Sequence, residues 1–335
     1  MRIAVDAMGG DHAPAEIVKG AVEAAQLHQY EIFLVGQEDV LANELAKYSK
    51  TDKIKLIHAP EVVAMDEPPA LAIRRKKGTS IAVATELVKT GEASALVSAG
   101  STGAQMAAAL LILGRIKGIL RPAITTLFPT VTKHSILLDV GANTDVGPEH
   151  LLQFAVMGSI YAEKILGRDN PKVGLLNIGT EPNKGNDAAK AAYQLLKESQ
   201  LNFVGNVEGR DLPQGAADVV VCDGFVGNIA LKLAEGLAGA VFQLLKEEMT
   251  RTFKTKLGAF LVAPGLKNIK GLIDYAEYGG APLLGVKGIS IICHGSSKSR
   301  AITNAIKVAA DCAEQNMLQL IEMSIANNVK GDSTR

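Results

Sequence analysis

Short apolar runs alternate with amphipathic stretches along most of the chain. The runs at 2–5, 31–35, 53–58, 95–98, 124–127, 135–140, 172–178, 202–204, 217–222 and 288–293 are predicted as strands. Most are rich in Val, Ile and Leu without polar alternation, as expected of strands covered on both faces. Helical periodicity fills 14–26, 70–90, 104–113, 148–166, 187–199 and 299–327. Strands alternating with helices imply an α/β fold, a mostly parallel sheet between two helical layers. One region breaks the alternation. A long helical pattern covers 228–263 and ends at Pro264-Gly265, and a weaker one follows over 266–275. Together, over 229–276, they predict a helical hairpin projecting from a single catalytic unit of residues 1–329. Residues 278–282 read as a loop returning to the body, and 330–335 as a disordered tail.

Glycines mark the strand ends. Asp6-Ala7-Met8-Gly9-Gly10-Asp11-His12 follows the first strand, and Ser98-Ala99-Gly100-Ser101-Thr102-Gly103 follows 95–98. Further on come Asp139-Val140-Gly141-Ala142-Asn143, then Asn177-Ile178-Gly179-Thr180-Glu181 with Lys184-Gly185-Asn186 close behind. Cys222-Asp223-Gly224-Phe225-Val226-Gly227-Asn228 and Cys293-His294-Gly295-Ser296-Ser297 complete six such loops. In an open parallel sheet the ligand crevice lies at the carboxyl ends of the strands. Glycine lets the backbone approach an anion, and a following helix offers free N–H groups. Any one of these loops is best explained as a tight turn. Six of them, each pairing glycine with Asp, Asn, Ser or His, point to a shared anion site. The run 98–103, with hydroxyls, glycines and a helix from about Ala104, is the best cradle. Neither G-x-G-x-x-G nor G-x-x-x-x-G-K-[ST] is present, which argues against a dinucleotide or an ATP tail.

Other chemistry is less specific. Asp11-His12 suits an acid–base pair or a helix cap equally. His294 is expected to face the same crevice. Asp139, Glu181 and Asp223 lack the spacing of a compact ligand set, so no metal is expected. No G-x-S-x-G elbow occurs. Cys222 and Cys293 adjoin site loops but fit small buried residues.

Composition narrows the partners. The formal net charge is zero, aromatic content is 4% and Trp is absent, so nothing favours nucleic acid. Three cysteines without a CxxC suit reduced thiols in a cytoplasm. The start has no signal-peptide pattern. No window reaches the ~18 uninterrupted apolar residues of a membrane span. Two basic features remain. Arg74-Arg75-Lys76-Lys77 is the densest charge run; it suits an acidic protein partner or phosphate, or simply a solvated face. Around Leu257, Phe260 and Leu261, the chain from 249 to 273 is free of acidic residues and carries Arg251, Lys254, Lys256, Lys267 and Lys270. That pattern suits an anionic membrane surface and a dimer or core contact equally. The preceding apolar positions, Leu231 to Leu245, are expected to be packing.

The ordered motifs VDAMGGDHAP, DEPPALAIRRKKGTS, SAGSTGA, LLDVGAN, LLNIGTEPNKGN, DGFVGN and HGSS run from Val5 to Ser297. In this the chain closely resembles the bacterial phosphate acyltransferase (PlsX) family of phospholipid synthesis. The resemblance implies a fold like isocitrate and isopropylmalate dehydrogenases and phosphotransacetylases. It implies transfer of a long-chain acyl group from acyl carrier protein to inorganic phosphate, without a cofactor. It also implies a cytoplasmic homodimer that touches the membrane peripherally through the hairpin. On that basis Ser98, Gly100, Ser101, Thr102 and Gly103 are expected to donate to phosphate. Lys184, His12, His294 and Asn228 are the catalytic candidates. Asp6, Gly9, Gly10, Asp139, Asn143, Asn177, Gly179, Asp223 and Gly224 are expected around the substrate. Arg74 to Lys77 would dock the acidic carrier protein.

Overall fold

The Val, Ile and Leu runs do form strands. The computed structural model describes residues 1–49, 52–64, 67–273 and 279–330. Its strands are β1 Arg2–Asp6, β2 Glu31–Gly36, β3 Ile54–His58, β4 Ala95–Ser98, β5 Ala123–Pro129 and β6 His134–Leu138, then β7 Val173–Asn177, β8 Phe203–Glu208, β9 Val219–Val221, β10 Ala281–Leu284 and β11 Ile289–Ile292. The helices are α1 Ala15–His28, α2 Glu38–Leu45, α3 Pro69–Arg75, α4 Ser80–Lys89, α5 Thr102–Ala108 and α6 Pro148–Lys164. They continue with α7 Asp187–Glu198, α8 Gly224–Thr250, α9 Phe253–Ile273, α10 Ser299–Glu314 and α11 Met317–Lys330. The expected tail beyond residue 330 and the last part of the expected hairpin lie outside the described residues.

All the strands join one sheet in the order β3-β2-β1-β4-β11-β10-β5-β6-β9-β7-β8. The first five are mutually parallel, as are β6, β9, β7 and β8. Between the blocks, three successive pairings are antiparallel: β11–β10, β10–β5 and β5–β6. An odd number of reversals makes the two parallel blocks run in opposite senses.

Both faces of the sheet are covered, which explains the unbroken apolar runs. In β1, Ile3 and Val5 pack under α1 and α10, while Ala4 faces the α4 side. In the other block Ile136, Leu138, Val219 and Val221 pack under α6, while Leu137 and Val220 face the opposite layer. Each such Val, Leu or Ile contributes roughly 1.5–3 kcal/mol of burial free energy.

Four predicted boundaries change. The helix expected over 70–90 is α3 and α4, because Lys76 turns extended (φ −106°, ψ 91°). The helix over 299–327 is α10 and α11, separated at Asn316, which is left-handed (φ 51°). Residues 281–284 are a strand, with Pro282 opposite Ile291. The long helix of 228–263 instead starts at Gly224 and stops at Thr250. A reciprocal cap starts α9: the Thr252 N–H donates to Thr255 Oγ1 (3.0 Å), and the Thr255 N–H donates to Thr252 Oγ1 (3.2 Å). Pro264, expected to end a helix, sits inside α9.

Candidate active site

The reversal at the sheet centre divides the six glycine loops. Those after β1, β4 and β11 leave one edge, and those after β6, β7 and β9 leave the other. The expectation of six loops at one edge is therefore corrected to two sets of three.

The first set is knit by one carboxyl. Asp6 ends β1 and is buried. Its Oδ2 accepts the Ser98 hydroxyl (2.7 Å), and Ser98 Oγ in turn accepts the Gly100 N–H (3.1 Å). Asp6 Oδ1 accepts the Met8 N–H (3.3 Å). Burial pushes the Asp6 carboxyl above its usual range, and hydrogen bonds from Ser80 and Ser98 oppose the shift. The glycines permit this contact: a Cβ on Gly9 would lie 2.7 Å from Asp6 Oδ2 and 2.8 Å from the Gly100 backbone. The third loop joins through Asp11, whose N–H donates to the Gly295 carbonyl (2.8 Å). Asp6 and Ser98, expected to touch substrate, therefore shape the loop instead, and the Gly100 N–H is engaged within it. Ser101, Thr102 and Gly103 stand at the start of α5. Ser101 Oγ faces the Ala104 N–H at 3.4 Å, a long cap, and Thr102 is exposed.

Both histidines of this set are exposed. The His12 carbonyl accepts the Glu16 N–H (3.1 Å) at the entry of α1. His294 Nδ1 lies 2.7 Å from Ser296 Oγ and accepts the Ser296 N–H (3.2 Å). An Nδ1 that accepts from a backbone N–H leaves the neutral ring's proton on Nε2.

The second set has its own buried carboxyl. Asp139 follows β6 and is fully buried. Oδ1 accepts the N–H groups of Ile124 and Ala142 (both 3.0 Å); Oδ2 accepts the Asn143 N–H (2.7 Å) and Asn143 Nδ2 (2.8 Å). Burial raises its pKa, and these donors hold it back. Asn143 Nδ2 also donates to the Pro122 carbonyl (2.7 Å). Gly224 and Gly227 press on this latch: the Gly224 N–H donates to the Asn143 carbonyl (2.6 Å), and a Cβ on Gly227 would fall 1.9 Å from the Asp139 carbonyl oxygen. Asp223 caps α8 through the Val226 N–H (2.8 Å). Asn177 Nδ2 donates to the Lys184 carbonyl (3.1 Å), and Asn177 Oδ1 accepts the Ile178 N–H (2.8 Å). Asp139, Asn143, Asn177 and Asp223, expected around substrate, thus spend hydrogen bonds on loop shape. Lys184 is about half exposed, with Nζ 4.0 Å from Glu181 Oε1, and its aliphatic stem lies over Gly179. The Asn228 amide lies beside Gly141.

A groove of about 400 Å³ lies between α5 and the Asp139 loop. Met106 of α5 and Leu110 of the following π turn, Ala109–Leu113, form one wall. Ala142 and Asn143 of the Asp139 loop face them, with Arg115, Leu120, Arg121 and Pro122 completing the lining. Sequence reasoning passed over residues 114–123, where no regular pattern draws attention to the arginines.

Comparison with known proteins decides the family. A family model described as "Fatty acid synthesis protein" matches residues 1–320. A phosphate acyltransferase of Desulfitobacterium hafniense (strain DSM 10664 / DCB-2) is 63% identical over 326 residues, covering 97% of this chain and 98% of that protein. One of Pelotomaculum thermopropionicum is 57% identical over 332 residues, covering 99% and 97%. The chain belongs to the phosphate acyltransferase family. It is an acyltransferase enzyme, with a family role in fatty acid and lipid synthesis. Among solved structures, the EutD phosphotransacetylase of Staphylococcus aureus matches with a TM-score of 0.61 at 19% identity, covering 93% of this chain and 94% of that one. A 4-hydroxythreonine-4-phosphate dehydrogenase of Klebsiella pneumoniae matches at 0.53 and 14%, covering 93% and 98%. These likenesses concern the fold alone.

On this chain the basic run is divided. Arg74, Arg75 and Lys77 are exposed, while Lys76 pairs with Glu67 at 2.5 Å. Helix α3, which carries the arginines, packs on α5: a Cβ on Gly103 would meet Pro69 Cγ at 2.8 Å. Helices α8 and α9 contact each other and are mostly exposed. Of the positions expected to be packing, Leu231 packs against the core, whereas Leu233, Leu237, Val241, Leu244 and Leu245 are exposed on this chain, as is Ile229 before them. By length and composition alone, α8 is apolar enough to cross a membrane, a property hidden from a search for uninterrupted apolar runs. Leu257, Phe260 and Leu261 are 58%, 77% and 72% exposed on α9. They follow the Arg251–Thr252 turn rather than forming it.

Proposed function

We propose that this enzyme transfers a long-chain acyl group from acyl carrier protein to inorganic phosphate, giving acyl phosphate for phosphatidic acid synthesis. The observation that carries this reading is the first loop set. Asp6 and Ser98 pin the strand-end loop and leave Ser101, Thr102 and Gly103 at a helix start, where N–H groups and hydroxyls can converge on a dianion.

Phosphate is already a nucleophile near neutral pH. One of its oxygens attacks the thioester carbonyl, the new C–O bond forms, the C–S bond breaks, and sulfur leaves as thiolate. The site has then to position the reactants and stabilise charge. Lys184 and Asn228, of the second loop set, are the candidates to neutralise the oxyanion and to donate to the carbonyl oxygen, and their substitution tests whether both sets serve one site. His294, whose Nδ1 contacts place the neutral ring's proton on Nε2, is suited to donate a hydrogen bond to the departing thiolate; His12 is the alternative donor. Gly9, Gly10, Gly179 and Gly224 keep the backbone close. The exposed Arg74, Arg75 and Lys77 dock the acidic carrier, with Lys76 held by Glu67.

The α8–α9 pair is the projecting hairpin of an isocitrate dehydrogenase-like fold. Its α8 stripe suits a second copy of the chain, and Leu257, Phe260 and Leu261 with neighbouring lysines suit an anionic bilayer. The enzyme is thus a cytoplasmic homodimer with peripheral membrane contact. A second reading, transfer from an acyl-CoA, shares the same chemistry with a different thioester donor. Incubation with each donor plus phosphate, followed by hydroxylamine, separates them. Hydroxamate from acyl carrier protein supports the proposal; hydroxamate from acyl-CoA alone supports the second reading. Hydroxamate from neither rejects both.

A further inference from the structure

The groove beside α5 has no part in the loop chemistry above, yet it starts at the same helix. Met106 and Leu110 are four residues apart on one helix face. From Thr102 to Leu113 the helical path is about 17 Å long. Leu110 and Leu120, on opposite walls, are 37% and 42% exposed. The wall facing α5 is held in place by hydrogen bonds. Asn143 fixes the Pro122 carbonyl, Gln153 Oε1 accepts the Leu120 N–H (2.8 Å), and the Arg115 guanidinium donates to the Leu120 carbonyl. The larger neighbouring groove, about 510 Å³ beside α4, is lined by Lys77, Glu86, Lys89 and Glu92. An apolar chain entering that groove would strip water from four charges, against two, Arg115 and Arg121, in the α5 groove.

We propose that the α5 groove takes the acyl chain, and that Met106 and Leu110 set the chain length accepted. This rests on the acyl-transfer reading above. An acyl phosphate joins its head and tail at one carbonyl. A head held at Ser101–Gly103 therefore runs its tail along the next accessible apolar surface, which is the face of Met106 and Leu110. The groove's volume lies within the range of ligand sites. Each methylene that leaves water strengthens binding about fourfold.

The test is kcat/KM for a series of donors from short to long acyl chains, with wild type, Leu110→Trp, Met106→Trp and Leu110→Ala. The tryptophans should lower the long-to-short activity ratio about tenfold or more, the effect of excluding two methylenes, and Leu110→Ala should move the optimum to longer chains. Leu110 is exposed, so its two variants should melt like wild type, whereas Met106 packs against the core and its tryptophan variant is read only if it folds; if a tryptophan variant fails to fold, Leu110→Ala carries the test. An active wild type whose ratio is unmoved in folded variants overturns the groove assignment alone. A uniform rise in KM at every chain length also overturns it, since the groove would then hold the arm common to all donors. A wild type that makes no acyl phosphate from any donor overturns the reaction, and the groove with it.

Discussion

Ser98→Ala tests how the phosphate loop is held. The hydroxyl donates to the buried Asp6 carboxyl at 2.7 Å and accepts the Gly100 N–H at 3.1 Å. Alanine fills nearly the same space, so no cavity contributes. It removes a hydrogen bond to a carboxyl, worth about 1.5–3 kcal/mol, and leaves the Gly100 donor short of a partner for about 1 kcal/mol more. A loss of ~3 kcal/mol should lower Tm by roughly 4 °C in a chain of 335 residues. Burial sets the folded Asp6 pKa above its unfolded value, so Asp6 lowers stability as pH rises through the folded pKa. Ser98 opposes that shift, and its removal should raise the folded pKa further. The deficit should therefore be largest above the folded pKa of Asp6 and shrink as pH falls below it, where the carboxyl is protonated in both folded proteins. The loosened loop should raise the KM for phosphate about tenfold, with a smaller change in kcat. Melting curves at several pH values and phosphate titrations read both effects. A Tm within about 1 °C of wild type with unchanged phosphate KM would refute the reasoning.

Other variants probe the remaining parts. Gly227→Ala drives a Cβ into the Asp139 carbonyl, at 1.9 Å before any adjustment. It should cost more than about 3 kcal/mol, read as a collapse of soluble yield or Tm. Lys184→Ala should leave Tm nearly unchanged, since its contact with Glu181 is long and exposed. Activity at saturating phosphate should nevertheless fall about 10–100-fold; full activity would remove Lys184 from the chemistry. Phe260→Asp should weaken sedimentation with anionic vesicles while leaving soluble acyl transfer intact, and unchanged sedimentation would argue against membrane contact through α9.

Much of the fold is legible in the sequence because the sheet is covered on both faces. Runs such as Ala95–Ser98 and Val219–Val221 have no polar alternation to blur them. Breaks within continuous periodicity are harder to see. The pattern passes through Lys76 and Asn316, and the apolar stripe of α8 carries on into α9, so the cap at Thr252 and Thr255 goes unnoticed. β10 is hidden by the glycines that flank it and by Pro282. The candidate site is legible as loops but not as roles. An aspartate after a strand reads as a ligand, whereas Asp139 receives four N–H groups that only the folded loop brings together. The division into two sets depends on three antiparallel pairings that no local pattern encodes.

The central claim is that phosphate is the attacking reactant rather than part of a bound cofactor. Fully ¹⁸O-labelled phosphate, incubated with the enzyme and acyl carrier protein thioester and followed by mass spectrometry, tests it directly. The account predicts acyl phosphate that retains every labelled oxygen and forms only when phosphate is supplied. Unlabelled acyl phosphate, or free fatty acid as the only product, would contradict it.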